Sequence, residues 1–152
     1  MIKLIDGDIL ESNEDFICHQ VNCQGVMGAG IAKALSDKWP IVKERYLSFS
    51  SGARTKCLLG EIQAVPINDK QAVLNIFGQE FYGKRRDVIY TNYIALEHAF
   101  ALIRFGQEYK NKSFAFPFMF GCGLANGNWT TVFGMMKRYL IDKNVTIYRL
   151  DN

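Results

Sequence analysis

Phe16-Ile17-Cys18-His19-Gln20-Val21-Asn22-Cys23-Gln24-Gly25-Val26-Met27-Gly28-Ala29-Gly30-Ile31-Ala32-Lys33-Ala34-Leu35 decides how this chain is read. The first six residues are strand-like, and Ile31, Ala32, Ala34, Leu35 and Trp39 have helical spacing, so a strand feeds a glycine loop that opens into a helix. The first N–H groups of a helix have no partner within it and carry the positive end of its dipole. Glycines before them let the backbone approach an oxyanion with no Cβ in the way. A junction of this kind is an anion site.

The arrangement occurs a second time. Phe114 to Phe118 reads as a buried strand, Gly121-Cys122-Gly123-Leu124-Ala125-Asn126-Gly127 as a glycine loop, and Trp129 to Leu140 as a helix. Two such loops suit a diphosphate better than a single phosphate. The first reads G-x-x-G-x-G rather than G-x-G-x-x-G, and no G-x-x-x-x-G-K-[ST] occurs, so dinucleotide-fingerprint and P-loop readings drop out.

At 152 residues the chain reads as one domain, 1–152, large enough to bury a core without staples. An apolar fraction of 49% with 22% charged residues is ordinary for a globular protein. The net charge of +3 favours an anionic ligand but falls short of a nucleic-acid footprint, and the one dense basic run, Lys84-Arg85-Arg86, reads as a solvated turn. Cys18, Cys23, Cys57 and Cys122 form no C-x-x-C pair and only two histidines accompany them, so no metal site is expected and the thiols are read as reduced. Asp6 and Asp8 come too early for a signal peptide, and no apolar stretch reaches the length of a membrane span. A cytoplasmic monomer with no membrane contact and no cofactor is the expectation.

Outward from the first loop, Ile2 and Leu4 begin a strand that turns at Asp6-Gly7-Asp8. The first helix stops before Pro40, and a second follows with Val42, Tyr46 and Phe49 on one face. Residues 61–65 and 72–77 read as a hairpin around Ile67-Asn68-Asp69-Lys70, and 78–87 as a polar loop placed to cover a pocket. Thr91 or Asn92 caps a helix carrying Tyr93, Leu96, Phe100 and Ile103, and residues 145–150 close the chain as a strand. Antiparallel hairpin plus parallel crossovers predict an α/β fold of three layers, α-β-α, around a mixed sheet. Both glycine loops then lie at the carboxyl ends of strands, where such sheets bind ligands.

Asp6-Gly7-Asp8-Ile9, Asn22-Cys23-Gln24-Gly25-Val26-Met27-Gly28-Ala29-Gly30-Ile31-Ala32, Asn75-Ile76-Phe77-Gly78-Gln79 and Gly121-Cys122-Gly123-Leu124 with Trp129 resemble the macrodomains, which bind ADP-ribose. The resemblance spans the chain and looks closest to small bacterial and phage proteins grouped with ADP-ribose 1''-phosphate phosphatases, with the terminal ADP-ribose protein glycohydrolase as a cousin. It implies that Asp8 accepts from the adenine amino group and that Ile9 lies against the base. Asn22 would meet the distal ribose. Gly25, Val26, Met27, Gly28, Ala29 and Gly30 would wrap that ribose and one phosphate, and Gly121, Cys122, Gly123, Leu124 and Ala125 the diphosphate from the other side. Tyr148 or Leu150 would pack on adenine. Taken alone, Asp8 reads as a turn cap, Asn22 as a turn-initiating residue, Met27 as core and Cys122 as a small packing residue, although its place between glycines admits a lowered thiol pKa.

The resemblance also marks what is missing. The glycohydrolase uses a lysine and a supporting aspartate, whereas the matching stretches here read Phe77-Gly78-Gln79 and Leu124-Ala125-Asn126. A lysine Schiff-base route at those positions is unsupported. Many hydrolytic macrodomains carry an aspartate or histidine in the first loop, where this chain has Val26, Met27 and Ala29. His19 and Asn22 are the candidates for positioning a water, and His98 reads as structural. Three activities follow: an ADP-ribose 1''-phosphate phosphatase, a non-catalytic module for ADP-ribose or ADP-ribosylated macromolecules, and a glycohydrolase acting on modified protein or nucleic acid.

Overall fold

Strand β2 (Phe16–Asn22), the strand that feeds the first loop, is central in a six-stranded sheet. A computed structural model of the chain describes residues 1–150. Across the sheet the order is β1 (Ile2–Asp6), β6 (Asn144–Arg149), β5 (Ser113–Pro117), β2, β4 (Ala72–Gln79) and β3 (Ile62–Pro66). Every neighbouring pair is parallel except β3 and β4, the predicted hairpin, so the sheet is mixed.

Central strands are covered on both faces, which is why most of β2, β4 and β5 is buried, polar His19 and Asn75 included. On one side Ile17, Val21, Val73 and Phe77 pack with Leu35 of α1 (Gly30–Lys38) and with Val42 and Tyr46 of α2 (Pro40–Ser50). On the other, Leu74, Ile76, Phe114 and Phe116 pack with Leu96, Phe100 and Ile103 of α4 (Tyr93–Phe105) and with Val132, Met136 and Leu140 of α5 (Trp129–Leu140). These are the three expected layers. Pro40 separates α1 from α2 as its ring requires, and it occupies the first helical turn of α2, where a missing N–H costs nothing. Asn92 caps α4 by accepting from the Ala95 N–H at 2.9 Å.

Local departures have physical causes. The hairpin strands start or end one or two residues away from the expected bounds, and the single-turn helix α3 (Thr55–Leu58) and two 3-10 turns are too short to leave a periodic signal. Phe49, placed by helical spacing with Val42 and Tyr46, sits near the end of α2 and is 44% exposed, with its ring centroid 5.7 Å from that of Phe77.

Candidate functional site: a groove across the carboxyl edge of the sheet

Residues that follow β1, β2, β4, β5 and β6 meet along one edge of the sheet. They form a groove of two joined cavities. The smaller, about 450 Å³, is lined by Gly7, Asp8, Ile9, Tyr148, Arg149 and Leu150. The larger, about 570 Å³, is lined by Asn22, by Val26 to Ala32, and by Gly121 and Gly123 to Ala125 of the second loop. Gly30, Ile31, Pro117 and Phe118 line both, which makes them one groove.

A β-bulge shapes the first loop. β2 runs in register with β4 from Phe16–Ala72 to Val21–Phe77, then shifts so that Asn22 pairs with Gln79. Asn22 thereby turns toward α2, where the buried Tyr46 hydroxyl reaches its carbonyl oxygen at 2.6 Å and its Oδ1 at 2.9 Å. Asn22 Oδ1 also accepts from the N–H groups of Gln24 (3.0 Å) and Val26 (3.3 Å), and its Nδ2 donates to Val26 O at 2.7 Å. The side chain builds the loop and keeps one Nδ2 hydrogen for the groove. Beyond it, the N–H groups of Gly28, Ala29, Gly30 and Ile31 have no acceptor among the described residues, and Ala29 gives α1 no side-chain cap. The N–H groups of Gly123, Leu124 and Ala125 are likewise without acceptors. Two rows of unpaired amides therefore line the same cavity, one backed by the open end of a helix.

The second loop differs from the expectation in one respect. Its helix, α5, is capped by Asn128, whose Oδ1 accepts from the Thr131 N–H at 3.1 Å, and none of residues 126–131 lines either cavity, so the loop offers amides but no helix terminus. Cys122 also turns away: its side chain packs on the core beneath α5, its Sγ donates to Phe120 O at 3.3 Å, and burial pushes the thiol up to about 11 rather than down. Gly25 lies outside the lining, where its φ of +78° makes the turn.

His19 is corrected outright. Along β2 it points beneath α2 instead of into the groove, is fully buried, and donates from Nε2 to Asn75 Oδ1. Asn75 Nδ2 in turn donates to Gln63 Oε1 at 3.0 Å, and Gln63 Nε2 to Arg45 O at 2.9 Å. That chain requires the Nε2–H tautomer and leaves Nδ1 unpaired; burial lowers the imidazole to about 4. A neutral ring locked in the core positions no water in the groove.

At the other end, Asp8 accepts from the Leu10 N–H at 2.9 Å through Oδ1, the cap its turn position predicted, while also lining the smaller cavity. Ile9 belongs to the core, and its N–H has no acceptor among the described residues. Tyr148, near the end of β6, and Leu150, just beyond it, both line that cavity. The Tyr148 hydroxyl donates to both Glu14 carboxylate oxygens, and burial with this carboxylate raises the phenol above its ordinary range.

Several lining residues carried no sequence signal. Gln20 donates from Nε2 to Gln79 Oε1 (2.8 Å) and Thr91 Oγ1 (3.0 Å), and Thr91 donates to Gly121 O, tying β2, β4 and the second loop together. A Cβ on Gly78 would lie 2.4 Å from Gln20 Oε1 and 2.6 Å from Leu96 Cδ2, so position 78 has no room for a side chain unless these neighbours shift. Tyr82 and Lys84 are the ionisable side chains of the larger cavity, contributed by the 80–90 segment. That segment is a wall pinned to both glycine loops: Tyr82 N–H donates to Gln24 Oε1 at 3.0 Å, and Asn126 Nδ2 donates to Arg85 O (2.8 Å) and Val88 O (2.7 Å).

No protein-family model and no curated protein matches the chain. Among solved structures it is similar to a Bacteroides thetaiotaomicron protein of unknown function, 30% identical over 99% of this chain and 98% of that one, TM-score 0.86. It is similar to a macrodomain protein from Streptomyces coelicolor, 24% identical over 100% and 99%, TM-score 0.78. It is also similar to Thermosipho africanus DarTG in complex with ADP-ribose, 22% identical over 97% of this chain but 41% of that longer one, TM-score 0.78. With its mixed six-stranded sheet, its groove at the carboxyl edge and these neighbours, the chain has the macrodomain fold.

Proposed function

We propose that the groove binds ADP-ribose and that the protein hydrolyses ADP-ribose 1''-phosphate to ADP-ribose and phosphate. The carrying observation is the pair of facing loops, Gly28 to Ile31 and Gly123 to Ala125, whose amides lack acceptors and would take the diphosphate between them. Adenine would enter the smaller cavity beside Asp8, Ile9, Tyr148 and Leu150, and the distal ribose would meet Asn22 and Val26. The ADP-ribose complex of Thermosipho africanus DarTG, part of whose chain shares this fold, supports this ligand.

For the reaction, water attacks phosphorus and the P–O bond to the ribose oxygen breaks. Amides and the Lys84 ammonium would stabilise the charge that builds on the phosphoryl oxygens, and the free Nδ2 hydrogen of Asn22 would orient the ribose. No carboxylate or imidazole lines the larger cavity, so turnover is slow: a general acid or base typically contributes about a hundredfold or more. The same lack favours a second reading, a module that holds ADP-ribose or ADP-ribosylated macromolecules without turnover. A lysine-based glycohydrolase route has neither its lysine nor its aspartate, since the matching stretches read Phe77-Gly78-Gln79 and Leu124-Ala125-Asn126.

A phosphorus NMR time course of ADP-ribose 1''-phosphate with near-stoichiometric protein and a chelator control tests both readings. Release of inorganic phosphate is the expected result, with the Asn22→Ala variant losing at least about tenfold in rate as its loop loses four side-chain hydrogen bonds. Shifted diphosphate signals without hydrolysis would leave the binding module, and unchanged spectra would overturn the ligand.

A further inference from the structure

Met119 has a φ of +63°, in the left-handed region. The other described non-glycine residues there, Asn111 and Asn126, are of the type that tolerates it; methionine is not. The conformation is imposed by the turn and not by the side chain. Phe118 N–H donates to Tyr148 O at 2.8 Å, Phe120 N–H to Pro117 O at 3.1 Å and Cys122 N–H to Met119 O at 2.8 Å. The Phe120 ring is buried against Phe116 and Phe100, with centroids 5.2 and 6.1 Å apart. Glycine would satisfy all of this without strain. Met119 itself belongs to neither core cluster, is 40% exposed, and lines the larger cavity between Phe118 and Gly121.

We infer that Met119 is a ligand-contacting residue, held in a strained backbone so that its thioether covers the sugar–diphosphate part of the bound nucleotide. The inference rests on the ADP-ribose reading. An unbranched, polarizable chain adapts to the carbon face of a ribose. An apolar cover beside the amide rows keeps water from the phosphates and strengthens those hydrogen bonds.

Titration calorimetry with ADP-ribose and thermal denaturation of wild type, Met119→Ala and Met119→Gly test it. Alanine keeps the strain and removes the side chain; glycine removes both. Both variants should bind ADP-ribose at least about fivefold more weakly than wild type, and the glycine variant should melt about 2–4 °C above the alanine variant. Wild-type affinity in either variant would overturn the contact, and equal melting points would overturn the strain. A wild-type protein that fails to bind ADP-ribose would overturn the ligand reading instead.

Discussion

The Gln20 side chain is locked by its two donated hydrogen bonds, and its buried Oε1 has no donor among the described residues. That oxygen would lie 2.4 Å from a Cβ at position 78 and 2.9 Å from one at 121, so both glycines exist to leave room for it. Gly78→Ala should destabilise the protein by about 1–3 kcal/mol through overpacking, measured by urea denaturation. In a Gln20→Ala background the cost should shrink without vanishing, because Leu96 Cδ2 still lies 2.6 Å away. Equal costs in the two backgrounds would show that Gln20 does not set the packing at 78. Asn22 could be read from sequence as a turn former or a site residue, and its side chain builds the turn while lining the larger cavity. Gln20 could not, because nothing in its neighbours along the chain tells which glycines it will face.

Helix starts differ along the chain. Asn92 and Asn128 close α4 and α5 with side-chain caps, whereas α1 starts at Ala29 with none. Ala29 has φ −149° and ψ 162°, the extended geometry in which a capping side chain accepts from the second or third helical amide. Ala29→Asp should therefore stabilise the fold by about 0.5–2 kcal/mol. Its carboxylate would occupy the amides that the proposed function gives to the diphosphate and repel that ligand, so ADP-ribose affinity should fall at least about tenfold on the same electrostatic grounds. Calorimetry and thermal denaturation of one variant check both signs; stronger binding would remove the α1 terminus from the site. The strand–loop–helix order was legible because periodicity and glycines are local signals. That the start of α5 would lie outside the groove was not, because no local pattern says which loop residues reach a shared cavity.

Across the molecule, the row His19–Asn75–Gln63 joins β2, β4 and β3 beneath α2. The imidazole is held at about 4 in the fold by burial, against about 6.5 when the chain is unfolded. The unfolded state thus binds the proton first as pH falls. Stability due to the neutral ring is fully present above about pH 6.5 and declines toward pH 4, by an amount on the order of 3 kcal/mol. Urea midpoints measured between pH 7 and 4 should fall for wild type and less steeply for His19→Gln, whereas parallel slopes would mean that His19 is not the titrating group. No described helix is long and apolar enough to cross a membrane, and no described group of three His, Cys, Asp or Glu side chains is placed to hold a metal.

From sequence alone came the α/β class, the mixed sheet and the two glycine loops at strand ends, because hydrophobic period and glycine placement act over a few residues. So did Asp8, Asn22 and the residues of both loops as candidates, and all of these but Gly25 and Cys122 line the groove. Tertiary structure decided which side chains enter it. A bulge after Val21 turns Asn22 toward Tyr46, strand alternation sends His19 into the core, and Cys122 leaves the cleft for the layer beneath α5. Gln20, Lys84 and Met119 take places in the wall through contacts between segments far apart in the chain. Side-chain direction depends on bulges and packing between such segments, and no local pattern encodes it.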